Sequence, residues 1–338
     1  MDRRSQALLL FAAAAGIAIA GYFEFRFLTD DAYISFRYAA NWLGGRGLSW
    51  NPPPFLPIEG YTNFAWVVLL GGIWATLGIE PPQAANPVSL AFGLGTLALT
   101  LRIGFRMSLP AASERLRLPL LALVALGIVS NRSYLAWLSS GLETALFNFA
   151  IVGWVAAALE KPAGRSDRAT LALAGAASLA ALTRPDGWLT VAGCLPLALL
   201  TLRARATLRA REAVAWSPLL LPVLHVAWRR SYYGEWLPNT WFAKQVAAWP
   251  ESGLRYAASF ALEYALFVWL GIALLWLVRA HRISLQAAVV LAVLGGHFVL
   301  HFLFRFLGGQ AEDVLFAKFQ PVTHGRHGIK LTTWAKPQ

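Results

Sequence analysis

Nine long apolar runs, separated by short basic clusters, leave this chain few ways to fold. They occupy residues 7–23, 84–104, 118–136, 143–159, 169–184, 187–202, 213–229, 257–279 and 284–304. A bilayer core of ~30 Å needs roughly 20 apolar residues per helix, and fewer where protein shields the ends. Of the 338 residues, 57% are hydrophobic and 14% charged, against about 25% charged in soluble domains. That balance excludes an ordinary cytosolic enzyme and also a disordered chain, which needs low hydrophobicity and high charge. The single cysteine, Cys194, excludes an intrachain disulfide framework and a CxxC metal site. The expected fold class is an all-α polytopic membrane protein whose first partner is the lipid bilayer.

The net charge of +12 could suggest nucleic acid, but its distribution argues against that partner. Fifteen of the 29 Lys and Arg lie in clusters between apolar runs: 3–4, 102–117, 161–168, 203–211 and 279–282. Basic loops of this kind mark the cytoplasmic side. Residues 62–78 form a tenth apolar segment. Counted as a crossing, it puts the four-Arg stretch 102–117 outside and inverts every later loop. Read as an external juxtamembrane helix, it restores the pattern. The expected topology is therefore about nine crossings in a bacterial cytoplasmic membrane, with the N-terminus cytoplasmic and the C-terminus outside. An N-terminal signal peptide cleaved after Ala18-Ile19-Ala20 is the alternative for the first run. Residues 1–305 read as one membrane domain. Residues 306–338 read as an irregular external tail, the mark of a truncated chain. No internal repeat is evident, which weakens an inverted-repeat transporter reading.

This topology gathers the polar residues on the external side. The first external loop, 24–61, opens with Thr29-Asp30-Asp31, followed by apolar and aromatic residues at helical spacing. Thr29 fits an N-cap, and acids in a first turn suit the helix dipole. The same two acids, a few residues beyond a membrane span, could instead sit at the lip of a cavity and serve as a general base toward a hydroxyl. Glu143 reads either as a first-turn acid or as a site residue. Arg184 and Asp186 read either as a paired turn across Pro185 or as site residues. Lys244 and Arg230 read as interface anchors or as phosphate contacts. His297 and His301 are four apart on one helical face, a spacing that can hold a metal, though no third ligand is evident.

Further along, Gly44, Gly45 and Gly47 break the helix. Then come Ser49-Trp50-Asn51-Pro52 and Glu59-Gly60-Tyr61-Thr62-Asn63-Phe64. In that order, these features resemble the first external loop of GT-C glycosyltransferases, and most of all a mycobacterial family of terminal arabinofuranosyltransferases. Ser139-Ser140-Gly141-Leu142-Glu143-Thr144 is similar to that family's second external acid. Thr183-Arg184-Pro185-Asp186-Gly187 is similar to its tight turn. Tyr232-Tyr233-Gly234-Glu235-Trp236-Leu237-Pro238-Asn239-Thr240, with Ala243-Lys244, is similar to its fourth-loop signature. The likeness covers residues 1 to about 305. Relatives continue with Gly-Gly-Asp and further helices, where this chain has Gly308-Gly309-Gln310-Ala311-Glu312-Asp313.

The resemblance implies a GT-C-type helical bundle with an external cavity. It implies an inverting transfer of a sugar, arabinofuranose in the nearest family, from a polyprenyl-phosphate donor to a glycan, lipid or protein acceptor. Asp30 would be the general base, with Asp31 beside it. Lys244 and Arg184 would hold the donor phosphate. Glu59, Tyr61, Asn63, Glu143, Asp186 and Asn239 would position substrates. A divalent cation on Asp31, Glu59 or Glu143 is a further option. A lipid or glycan transporter and an inactive truncated family member are the competing readings.

Overall fold

A computed structural model describes residues 2–51, 53–107, 111–160, 164–205, 210–240, 250–268, 270–271 and 283–307. Every regular element among them is helical. Helix α1 (Arg3–Glu24) opens where the Asp2 carboxylate accepts the Ser5 amide at 2.9 Å. Helix α2 (Ala32–Asn41) follows in the segment between α1 and α3 and runs into a π-type turn, Trp42–Arg46, that ends at positive-φ glycines. Helix α3 (Phe64–Leu77) closes on Gly78 in the left-handed region. Helix α4 (Pro81–Arg106) starts on two prolines. Helices α5 (Arg117–Val129), α6 (Arg132–Trp137) and α7 (Thr144–Ala158) follow. Helix α8 (Asp167–Thr183) is capped by the Ser166 hydroxyl, which accepts the Ala169 amide. A 3-10 turn, Pro185–Gly187, leads into α9 (Trp188–Arg205). The remainder comprises α10 (Ala210–Ala215), α11 (Leu220–Tyr233), α12 (Pro250–Glu263) and α13 (Leu285–Leu307).

Helix α7 packs between α4 and α8, α8 continues the layer to α9, and α9 meets α13. One apolar cluster joins Ala14 and Ala18 of α1 to Leu97 and Leu101 of α4 and Leu121 and Val129 of α5. A second surrounds Trp154 with Leu173, Cys194 and Leu197. A third packs α2 on α3 and α4 through Phe36, Trp66, Leu70 and Ala85. Among the described residues, three segments are long and apolar enough to cross a membrane: α1, α4 and Pro185–Ala204. Helices α3 and α7 and the stretch Leu285–Leu300 are apolar but shorter. The 14 residues of α3 reach about 21 Å at 1.5 Å per residue, short of a ~30 Å bilayer core, and the 13 of α5 and the 15 of α7 also fall short.

Three expected runs are divided in the structure. Residues 118–136 break at Asn131, whose side chain accepts the Tyr134 amide at 2.9 Å and starts α6 afresh. Residues 213–229 break at the 3-10 turn Ser217–Leu219, where Pro218 has no amide to continue a helix. Residues 257–279 contain the end of α12, followed by Ala265 at φ 48°. Their last part, and residues 308–338 with the expected tail, lie outside the described residues.

At the α8–α9 turn the backbones come close. A Cβ on Gly187 would collide with the backbone carbonyl of Ala180, an atom that no rotamer change can move. Gly187→Ala is therefore expected to destabilise the protein by at least about 1–3 kcal/mol, the usual cost of overpacking. A thermal melt in detergent that matches wild type would contradict this packing.

Candidate active site

Asp30 and Asp31 precede the first turn of α2. The structure corrects Thr29 as the cap: the helix starts at Ala32, with Asp31 in the capping position but making no side-chain capping bond. The Thr29 hydroxyl instead donates to Asp30 Oδ1 at 3.1 Å, and the Asp31 amide donates to the same oxygen at 3.0 Å. Neither bond uses Asp30 Oδ2. Both acids are exposed, and Asp30 lines an open cleft of about 460 Å³. Capping therefore does not explain the pair. The Thr29 amide donates to the Ser140 carbonyl at 3.0 Å, which docks the acids against the 139–143 loop.

A buried polar chain runs beside them. Asn63 Nδ2 donates to Glu143 Oε2 at 2.8 Å and to Ser35 Oγ at 2.9 Å. Glu143 Oε1 meets Arg184 Nη1 at 3.5 Å, and Arg184 Nε donates to Asp186 Oδ1 at 3.2 Å. Arg184 also stands 5.4 Å from the Phe147 ring centre. Trp66 Nε1 donates to the Gly141 carbonyl at 3.0 Å and fixes the loop that carries Glu143. Ser35, Asn63 and Glu143 are all buried, where an unpaired polar group is costly. Glu143 is thus more than a first-turn acid, because both its oxygens serve tertiary partners. Arg184 and Asp186 do pair across Pro185, and the pair extends to Glu143. One guanidinium faces two carboxylates here.

A second network involves Glu59, which is 6% exposed. Its Oε2 accepts from Arg229 Nε at 2.8 Å, with Nη2 a further 2.6 Å Coulombic contact off the hydrogen-bond axis. Burial pushes the Glu59 carboxyl above the ordinary range, and Arg229 recovers only part of that shift. The Asn239 amide donates to the Glu59 carbonyl at 3.1 Å, tying the segment after α11 to the segment before α3. Tyr61 hydroxyl lies 3.2 Å from Tyr233 hydroxyl, which donates to the Leu48 carbonyl at 2.7 Å. Tyr233 must therefore accept from Tyr61. Burial pushes both phenols upward, so both stay protonated. Tyr38 hydroxyl donates to the Ile58 carbonyl and accepts the Gly60 amide, completing the clamp.

The expected site residues therefore divide. Asn63, Glu143, Arg184 and Asp186 come together, as do Glu59, Tyr61 and Asn239 with Arg229. Asp30 faces the cleft. Lys244 lies outside the described residues. Sequence reasoning missed Ser35 and Arg229 and weighed Arg230 instead, which stands over Trp236 at 5.6 Å. Among the described residues, no group of three or more His, Cys, Asp or Glu could hold a metal ion. Glu59 and Glu143 are each engaged by an arginine, and His297 Nδ1 donates to the Val293 carbonyl at 2.8 Å. The His301 side chain lies outside the described residues.

No family model matches the chain, and no solved structure does. The chain is similar to the terminal beta-(1->2)-arabinofuranosyltransferase of Mycobacterium tuberculosis, with 30% identity over 260 residues. The match covers 73% of this chain and 40% of that protein, so the chain spans less than half the length of the curated relative it matches.

Proposed function

We propose that the chain is a membrane glycosyltransferase of the GT-C type. It would transfer a sugar, arabinofuranose by analogy with the relative, from a polyprenyl-phosphate donor to an extracytoplasmic glycan, lipid or protein acceptor. The observation that carries this reading is convergence. Ser35, Asn63, Glu143, Arg184 and Asp186 come from four separate segments and form one hydrogen-bonded chain. The backbone of Thr29 is bonded to the same loop as Glu143, so Asp30 is held against the loop that carries that chain.

In this mechanism Asp30 accepts the proton of an acceptor hydroxyl, and Asp31 beside it keeps the local field negative. The oxygen forms a bond to the anomeric carbon as the bond from that carbon to the phosphate oxygen breaks. The electron pair leaves with the lipid phosphate, and the anomeric configuration inverts. Charge growing on the phosphate needs fixed cations. Lys244 and Arg184 are assigned that role. The carboxylates of Glu143 and Asp186 hold the Arg184 guanidinium in place and offset much of its charge, which leaves Lys244 as the principal phosphate cation. Glu59, Tyr61 and Asn239 act through the Arg229 clamp, as positioning residues that fix the two loops around the cavity. A divalent cation would have Asp31 as its most available carboxylate.

The topology follows the basic clusters: nine crossings, α3 lying externally, and the 24–61 loop outside. Cys194 is buried, so a Cys194→Ser background suits single-cysteine labelling. A cysteine at Gly78 is expected to react with an impermeant maleimide from outside, and one at Met107 only after the membrane is opened. The reverse at Met107 would make α3 a crossing. For the chemistry, membranes carrying the protein are expected to incorporate label from a radiolabelled polyprenyl-phosphate sugar and not from the matching nucleotide sugar. Incorporation from the nucleotide sugar alone would overturn the donor assignment.

A further inference from the structure

The chain between α2 and α3 carries an apolar patch left exposed among the described residues. No charged residue occurs from 47 to 58. Phe55 is 65% exposed, Leu56 83% and Ile58 47%. The two ends of this loop are nonetheless fixed. Asn41 Nδ2 donates to the carbonyls of Ser49 and Trp50 at 2.7 and 3.2 Å, and Arg37 Nε donates to the Trp50 carbonyl at 2.9 Å. The Arg37 guanidinium also stacks 4.2 Å from the Trp50 ring centre. At the other end the Tyr38 hydroxyl donates to the Ile58 carbonyl at 2.6 Å and accepts the Gly60 amide. Helix α2 thus grips both ends and leaves the middle facing outward. Contiguous exposed apolar side chains of this kind mark an interaction surface.

The backbone chemistry of the loop selects the partner. Pro52, Pro53, Pro54 and Pro57 have no amide hydrogen, so of residues 52–58 only Phe55, Leu56 and Ile58 carry a backbone donor. Lipid acyl chains offer no acceptor to a stray N–H, and irregular backbone is excluded from that region for this reason. A loop that has shed more than half of its donors enters the edge of the bilayer at reduced cost. A protein partner would supply acceptors, and the loss of donors would then weaken the contact. The neighbouring segment has the matching character. The Asn239 amide, bonded to the Glu59 carbonyl at 3.1 Å, brings the stretch carrying Trp236 and Leu237 to the end of this loop. Both side chains are exposed, and the Arg230 guanidinium stands 5.6 Å from the Trp236 ring centre. An exposed indole beside a cation suits the headgroup level of a membrane.

We infer that residues 53–58 form a lipid-inserted wedge. Phe55, Leu56 and Ile58 enter the boundary between headgroups and acyl chains, and Trp236 and Arg230 lie at headgroup level beside them. The wedge is flanked by Trp50, on the wall of the cleft that bears Asp30, and by Glu59, in the Arg229 clamp. Insertion therefore sets the height of both above the bilayer. The inference rests on the membrane part of the proposed reading, and not on sugar transfer or on which face the loop occupies.

The test reconstitutes the full chain, carrying Cys194→Ser and Leu56→Cys, into vesicles of phosphatidylcholine and phosphatidylglycerol. An environment-sensitive fluorophore is attached to the introduced thiol. The vesicles contain lipid with a nitroxide either high on the acyl chain or near its end. The emission is expected to shift to the blue relative to the fluorophore in buffer, and to be quenched most by the high nitroxide. That pattern places the label about 5–10 Å into the headgroup–acyl boundary. Iodide in the water should quench it little. Adding Phe55→Ser and Ile58→Ser is expected to reverse the order, with iodide the stronger quencher. Both side chains are exposed, so the melting temperature should stay that of the parent, which separates a lost lipid contact from a lost fold. Quenching by iodide and by neither lipid nitroxide would overturn the inference, as would strongest quenching by the chain-end nitroxide. Emission that follows protein density and ignores the lipid nitroxides would also overturn it, and would identify the patch as a contact between copies. The face of the membrane is read separately from the cysteines at Gly78 and Met107, and failure of sugar transfer would leave the lipid result standing.

Discussion

Asp30→Asn is expected to reduce sugar transfer by about 10²-fold or more while leaving the protein at normal abundance. General-base catalysis contributes typically ~10²–10⁴-fold, and the asparagine side chain cannot take up the acceptor proton. The local structure should survive. The oxygen that accepts the Thr29 hydroxyl and the Asp31 amide has a counterpart in the amide carbonyl, and the site is exposed, so no buried charge is left unpaired. A drop in transfer with an unchanged melting temperature separates a chemical role from a structural one. Transfer at the wild-type rate by Asp30→Asn, at matched expression, would falsify the assignment of the base.

Arg229→Met should produce the largest loss of stability. It leaves the Glu59 carboxylate, 6% exposed, without its only ionic partner among the described residues. Breaking a buried pair by removing one member costs about 3–5 kcal/mol. The damage should depend on pH. Burial already raises the Glu59 carboxyl above its ordinary value despite Arg229, and the variant loses the opposing attraction. A carboxyl whose folded-state pKa is raised favours folding when protonated and loses that contribution as pH rises through the folded value. The deficit is therefore expected to be smaller near pH 5 and larger near pH 8. The double variant Glu59→Gln/Arg229→Met should recover much of it, since no charge is then buried. A deficit that does not change with pH, or no recovery in the double variant, would mean that packing of the Arg229 stem dominates.

Hydropathy located the long helices because a run of apolar residues is a property of the segment itself. Residues 143–159 became Thr144–Ala158, and 62–78 became Phe64–Leu77. The breaks at Asn131 and Pro218 were legible in principle, since a capping side chain and a missing amide are local chemistry. A window averaged over a whole span hides them. The partners of the acids were not legible. Glu59 and Arg229 are 170 positions apart. Arg229 and Arg230 are neighbours about 100° apart on a helix of 3.6 residues per turn. Which of them turns inward depends on where the segment carrying Glu59 packs. Ser35 had a signal that went unused: it shares a stripe with the apolar residues Ala32, Phe36 and Ala39, all buried. A hydroxyl on an otherwise apolar buried face implies a polar partner inside, and that partner is Asn63.

The most direct test asks where the sugar is transferred as well as whether it is. Sealed right-side-out vesicles carrying the protein, or its Asp30→Asn variant, are given a short-chain radiolabelled polyprenyl-phosphate sugar from outside. Label incorporated into envelope acceptors is then compared in sealed and detergent-opened vesicles. External transfer predicts near-equal incorporation in the two preparations, and a loss of about 10²-fold or more in the variant. Incorporation that appears only after opening, or that is indifferent to Asp30, would contradict it.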